Sequence, residues 1–308
     1  MEQTHTNFAP DFFVVGAAKA GTTAVYHWLR AHPGVFLPAV KEPGYFAYSG
    51  RQAAPKEGPY DPEYVRQITV DPRSYASLYE AAGSQLTGDV SPVYLLDENA
   101  AARIAAVRPD ARIIVILRNP VDRAFSQFLH HVRDSLETCL TLEDALEKEN
   151  IRMRDGWSWG HGYATHGHYA AQVDRYLAVF PREQILFLEY RDLQIAPGAC
   201  WQRVCAHLGL EHSQLVQNDR FNATNDLTQV CARPRLARLM RHPGPTQTFL
   251  KELIPANFKS KLRRLLDGRG RQVPVLSDDT KRSLAKRYRA ERRHLEEQTG
   301  LTLSHWLA

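Results

Sequence analysis

Phe12-Phe13-Val14-Val15-Gly16-Ala17-Ala18-Lys19-Ala20-Gly21-Thr22-Thr23 decides the fold class. A continuous apolar run ends in a glycine, a loop of small residues follows, and from Thr22 to Ala31 the apolar positions recur with helical spacing. The pattern is strand, loop, helix. In that arrangement the backbone N–H groups of the loop and the positive end of the helix converge on one point, which suits a phosphate. Lys19 lies inside the loop. A lysine among those partial positive charges is poorly placed unless an anion occupies the site.

The loop approaches GxxxxGK[ST], yet Thr22 stands where that motif has its lysine, which argues against a nucleoside-triphosphate site. A second unit of the same kind begins at Ala111. Ile113 to Leu117 reads as a buried parallel strand, Arg118-Asn119-Pro120 as a turn, and Val121 to Val132 as a helix with Pro120 near its first position. Further helices are expected near Pro72 to Ala82, over Asp97 to Val107, Thr141 to Arg154, His168 to Phe180 and Pro197 to Leu208, and a third strand over Ile185 to Glu189. Ser277 and Gly300 bound a long last helix as N-cap and terminator. Strands alternating with helices predict an α/β protein with a central, mostly parallel sheet flanked by helices, and P-loop-like phosphate binding.

Composition agrees with one large soluble domain over residues 1–308: 44% apolar, 24% charged, with 18 Gly and 18 Pro. No apolar run approaches the ~18 residues of a membrane span, and the first ten residues lack an export pattern, so a cytoplasmic location is expected. Four irregularly spaced cysteines predict reduced thiols. The net charge is +5, with the excess in Arg233 to Arg241, Lys259 to Arg271 and Lys281 to Arg293. A polyanionic small ligand or a nucleic acid would both suit such patches. Residues 211–275 are polar, basic and Pro-containing, and are expected to form a mobile segment facing the ligand. Thirteen histidines include no HExxH or comparable ligand spacing, so no metal is expected.

The two strand-loop-helix units resemble those of sulfotransferases that use 3′-phosphoadenosine 5′-phosphosulfate (PAPS). The resemblance extends from Phe12 to Trp306 through Gly167-His168-Tyr169, Phe180-Pro181, Ile185 to Tyr190, Asp192-Leu193 and Arg292 to Trp306, and is to the bacterial and Golgi-type, heparan-sulfotransferase-like branch. It implies that Ala18, Lys19, Ala20, Gly21, Thr22 and Thr23 hold the 5′-phosphosulfate and that Arg118 and Ser126 hold the 3′-phosphate. It also implies that Arg269, Gly270 and Arg271 close over the 3′-phosphate and adenine. Lys41-Glu42-Pro43-Gly44-Tyr45-Phe46 is similar to the family's Lys-Glu-x-x-x-Phe segment, which makes Glu42 the candidate base and Lys19 the cation at the leaving group. Where some heparan-type members carry a second catalytic lysine, this chain has Val90, which weighs against a glycosaminoglycan acceptor.

Candidate acceptor contacts are Lys41, Asp89, Ser91, Tyr94, His130, Trp159 and Tyr169, with Trp157 and Tyr163 as further stacking surfaces. His130, His131, His161, His166 and His168 are alternative bases or contacts. The implied reaction is metal-independent sulfuryl transfer from PAPS to a hydroxyl or amine of a sugar, lipid or small molecule. Two other readings of the residues stay open: a small-molecule kinase, against which Thr22 speaks, and a non-catalytic nucleic-acid-binding module using the basic C-terminal third. Neither accounts for both anion motifs. The sequence leaves the oligomeric state undecided.

Overall fold

The structure is a computed structural model that describes residues 8–211, 215, 229–230 and 271–307. Its centre is a five-stranded, wholly parallel sheet made of β1 (Phe12–Gly16), β2 (Val35–Phe36), β3 (Leu86–Val90), β4 (Arg112–Leu117) and β5 (Ile185–Glu189), in the order β2-β3-β1-β4-β5. β1 lies in the middle because all five of its residues are buried, and β4 beside it exposes only Arg112. Strands apolar on both faces are stable only when both faces are covered. The chain leaves β1 toward β3 on one side and returns to β4 on the other. The crevice between the ends of β1 and β4 is therefore the topological switch point, where open α/β sheets bind ligands.

The covering helices are α1 (Thr22–Arg30), α2 (Tyr45–Tyr48), α3 (Pro62–Gln67), α4 (Pro72–Ser77), α5 (Val93–Leu96), α6 (Ala100–Val107), α7 (Pro120–Arg133), α8 (Leu142–Arg154), α9 (Tyr169–Leu177), α10 (Tyr190–Ile195), α11 (Pro197–Leu208) and α12 (Asp278–Thr299). Three helices are shorter than the sequence suggests, α9 ending at Leu177 instead of Phe180. α4 stops at Ser77, and α6 starts only at Ala100, because Asp97 is extended and accepts a hydrogen bond from Asn99 N. The caps match the residue types. Asn119 Oδ1 accepts from Val121 N ahead of Pro120, Ser277 Oγ accepts from Thr280 N, and Gly300 takes the left-handed conformation that ends α12.

A second, smaller apolar cluster ties α7 to α8 and α12 through Phe128, Leu142 and Leu284. A two-stranded antiparallel ribbon joins β6 (Gln229–Val230) to β7 (Arg271–Gln272). Cys139, Cys200 and Cys205 are buried and not joined in disulfides. Among the described residues no helix is long and apolar enough to cross a membrane. Arg269, Gly270 and most of the segment 211–275 lie outside the described residues; of Arg271 the backbone pairing with Val230 is seen.

Candidate active site

The carboxyl ends of β1 and β4 open into a cavity of about 1430 Å³. Gly21 begins α1 with φ 90°, and no side chain caps that end, so the first-turn N–H groups face the cavity. Glycine is required there, since the backbone is left-handed and a Cβ would lie 3.0 Å from the Tyr190 ring. Lys19 holds φ 68°, an uncommon conformation for a residue with a side chain, and brings its amine to the cavity wall. Burial and the charges of Arg133 and Arg118 lower the Lys19 pKa to about 8, with Asp134 and Glu42 opposing. An anion beside this amine would relieve both effects.

Arg118 leaves the end of β4 and donates from Nη1 to the Lys19 carbonyl at 2.9 Å, with its guanidinium 4.5 Å from the Tyr190 ring centre. Ser126, two turns along α7, lies on the same wall, as do Ala18, Thr22 and Thr23. Ala20 is wholly buried beneath the loop and makes no part of that wall.

Lys41 and Glu42 close the opposite side. Lys41 Nζ bonds Glu42 Oε1 at 2.6 Å and Thr23 Oγ1 at 3.0 Å, which joins this loop to the start of α1. Glu42 has φ 63° and Gly44 φ 66°. This bent backbone is held from below, where Gly44 N donates to Ser91 Oγ at 3.1 Å. Ser91 in turn donates to Asp89 Oδ1 at 2.6 Å, and Tyr75 and Tyr94 each donate to Asp89 Oδ2 at 2.7 Å. Burial raises the Asp89 pKa to about 6 against the pull of those three donors.

Several expected acceptor contacts therefore lie elsewhere. Asp89, Ser91 and Tyr94 are 0% exposed and form the bed under the Glu42 loop, not the cavity wall. Tyr169 is 1% exposed and packs edge-on against Trp306. Tyr163 is buried in a polar network. Trp157 reaches the wall, but Arg152 lies 4.6 Å over its ring and Gly58 is so close that a Cβ there would be 2.3 Å from it. Both neighbours oppose stacking on that indole. His166 and His168 are away from the wall, His168 pairing with Glu291 at 2.8 Å. Lys41, His130 and Trp159 do line it, Trp159 edge-on to Tyr64.

His130 belongs to a cluster at the end of α7. Arg133 Nη2 lies 2.7 Å from its Nδ1. Asp134 Oδ2 lies 3.3 Å from the same nitrogen, so a donor and an acceptor both face Nδ1. Burial and the nearby Lys19 charge drive the His130 pKa down to about 3, so the ring stays neutral. In that state the ring offers one N–H donor and one lone pair.

Residues not singled out from the sequence complete the wall. Glu189, at the end of β5, accepts from Trp306 Nε1 at 2.6 Å and His305 Nε2 at 2.7 Å, which fastens the C-terminal turn across the cavity. Asn119 Nδ2 reinforces this through the Trp306 carbonyl. Tyr48, Tyr60 and Tyr64 add aromatic surface from α2, the loop after it and α3. No local spacing marks them, because contact comes only when the loop folds back over the sheet edge. Among the described residues no group of three or more His, Cys, Asp or Glu could hold a metal ion.

The profile of the Sulfotransferase family matches residues 10–214. The human heparan sulfate glucosamine 3-O-sulfotransferase 6 is 28% identical over 253 residues, which are 79% of this chain and 67% of that protein. The human heparan sulfate glucosamine 3-O-sulfotransferase 3B1 is 28% identical over 215 residues, 70% of this chain and 50% of its own length. The chain thus spans between half and about two thirds of these relatives. A crystal structure of a sulfotransferase from Alicyclobacillus acidocaldarius superposes with a TM-score of 0.72 at 28% identity, covering 98% of this chain and 100% of that one.

Proposed function

The chain belongs to the Sulfotransferase family, and from that premise we propose that it moves a sulfuryl group from PAPS to a hydroxyl or amine of a sugar, lipid or other small acceptor. One observation carries the reading: Lys19 on the β1 loop, Arg118 and Ser126 after β4, and Glu42 from the facing loop share one cavity. A 3′,5′-bisphosphorylated nucleoside needs two anion sites a fixed distance apart, and adjacent strands supply them.

The residues divide the work as follows. The loop N–H groups with Thr22 and Thr23 bind the 5′-phosphate, and Arg118 with Ser126 bind the 3′-phosphate. In the transfer, a bond forms between the acceptor heteroatom and sulfur while the bond from sulfur to the phosphate oxygen breaks. That oxygen gains negative charge, and Lys19 faces the charge at no reorganisation cost. Glu42 takes the acceptor proton. His130, on the same wall, is a contact for the acceptor or an alternative base. The heparan substrates named for the relatives do not follow automatically, since the lysine-equivalent position, Val90, is buried in β3.

Calorimetric titration with adenosine 3′,5′-bisphosphate, without Mg²⁺ and with ATP as control, tests the reading. Micromolar binding of the bisphosphate and far weaker binding of ATP is the expected result. No binding, or a preference for ATP, rejects it.

A further inference from the structure

A buried polar chain reaches the cavity from a side that sulfuryl transfer, as described above, does not use. It starts at Glu137, in the turn after α7. Glu137 Oε1 accepts from Thr138 N and Cys139 N, each at 2.7 Å, and Arg152 of α8 grips the carboxylate with both Nη atoms at 2.8 and 2.9 Å. Burial alone would push its pKa up, yet Arg152 and these donors hold it below the ordinary carboxylate range. Glu137 is thus an ion that can only accept.

The remaining bonds follow in forced order. Tyr163 OH lies 2.7 Å from Glu137 Oε2, so the phenol must donate there. Its oxygen is left to accept from His131 Nδ1 at 2.8 Å, which places the His131 proton on Nδ1. Burial, and the neighbouring rings and cations, keep that imidazole neutral. Its Nε2 therefore carries a lone pair, which accepts from Gln127 Nε2 at 2.9 Å. This last bond fixes which end of the carboxamide faces the histidine. His161 packs against the His131 ring with centroids 4.4 Å apart. Gly160 lets the loop close, because a Cβ there would lie 2.7 Å from His131 Nε2 and 3.0 Å from Gln127 Nε2. Gln127 and His131 both line the cavity.

We propose that Gln127 is a specificity residue: the Glu137–Tyr163–His131 chain turns its carboxamide so that the carbonyl oxygen accepts a hydrogen bond from a hydroxyl or N–H of the sulfuryl acceptor. Glu137, Tyr163 and His131 are positioning residues that act through it. The inference rests on the sulfotransferase reading and deepens it by giving the acceptor a donor group that must meet Gln127. The arrangement matters because a buried amide left free to flip would offer N–H and C=O equally and select nothing.

The tautomer is measured directly, in full-length protein labelled with ¹⁵N in histidine and saturated with adenosine 3′,5′-bisphosphate. Long-range proton–nitrogen spectra, with His131 assigned by a His131→Gln variant, are expected to show a neutral ring protonated at Nδ1. In Tyr163→Phe that pattern is expected to give way to the Nε2-protonated form or a mixture, with the thermal melt still cooperative. An Nε2 proton in the unsubstituted protein, or a pattern unmoved in Tyr163→Phe, overturns the relay. Kinetics with PAPS and 4-nitrophenyl β-D-glucoside as probe acceptor supply the second arm. Gln127→Met, which keeps length and loses the carbonyl, is expected to raise KM for the glucoside at least fivefold with kcat within twofold. An unchanged KM overturns the role of Gln127. Failure of the unsubstituted protein to bind the bisphosphate would instead remove the parent reading, so the two failures are told apart.

Discussion

Arg118 Nη1 donates to the backbone carbonyl of Lys19, 99 residues earlier, at 2.9 Å. The bond ties the β1 loop directly to the turn after β4, and it occupies one edge of the guanidinium. Arg118→Lys would lose both that fork and the stacking on Tyr190. Affinity for adenosine 3′,5′-bisphosphate in this variant is expected to fall tenfold or more by calorimetry, on the order of 1.4 kcal/mol. An undiminished affinity would show that Arg118 only anchors the Lys19 loop.

Lys19 should reveal itself through protons. Its pKa is lowered to about 8 in the protein without ligand, and a bound phosphate favours the charged amine. Below pH 8 the amine is already charged and affinity is full. Above pH 8 binding must take up a proton, so affinity falls as pH rises, by up to about tenfold per unit. Calorimetry at pH 8.5 in buffers of different ionisation enthalpy would show net proton uptake, absent in Lys19→Ala. That variant is also expected to lose about 10²-fold or more in kcat, with a smaller loss in bisphosphate affinity.

Glu42→Gln preserves the shape of the loop and removes the base. Turnover is expected to drop at least 10²-fold while bisphosphate affinity stays within twofold. An active Glu42→Gln enzyme would move the base to another group. Ser91→Ala removes the hydroxyl that receives Gly44 N, so it should lower kcat more mildly by loosening the same loop.

Asp89 gives a stability test with a definite sign. Its folded pKa is about 6, above the ordinary value of 3.8, so between those values the folded state holds the extra proton. The contribution of this group is fully present below pH 3.8 and is lost as pH rises through 6. The unfolding free energy of the unsubstituted protein minus that of Asp89→Asn should therefore shrink on going from pH 4 to pH 7, on the order of 3 kcal/mol in denaturant titrations. A constant difference would mean that Asp89 titrates normally.

The sheet, and the meeting of the Lys19 loop with the Arg118 turn at one cavity, were legible because strand burial, glycine placement and helix caps are encoded locally. The runs Phe12 to Val15 and Ile113 to Leu117 became the two central strands, and Pro120 and Ser277 took the cap positions expected of them. What the sequence did not disclose depends on approach between distant segments. Asp89, Ser91 and Tyr94 cluster about the end of β3 as a ligand-binding turn would, but Tyr75 and the Gly44 backbone fold over them and bury them. Trp157 is near Arg152 in the chain, yet Gly58, about a hundred residues earlier, reaches its ring as well. The proton position on His131 likewise follows only from its neighbour Tyr163.

β1 and β4 are immediate parallel neighbours, paired from Phe12–Arg112 to Val14–Ile114, with a one-residue shift before Gly16 meets Val115. The sheet thus works as a gauge. Backbone ladders hold adjacent strands ~4.8 Å apart and yield little, so the span between the Lys19 loop and the Arg118 turn is set by main-chain hydrogen bonds and not by flexible side chains. Selection among nucleotides then becomes a measurement of length: a molecule with its phosphates stacked on one carbon, as in a triphosphate, meets one end of the gauge and misses the other. Cavity-forming changes deep in β4, far from any bound atom, would blur that measurement before they abolished binding.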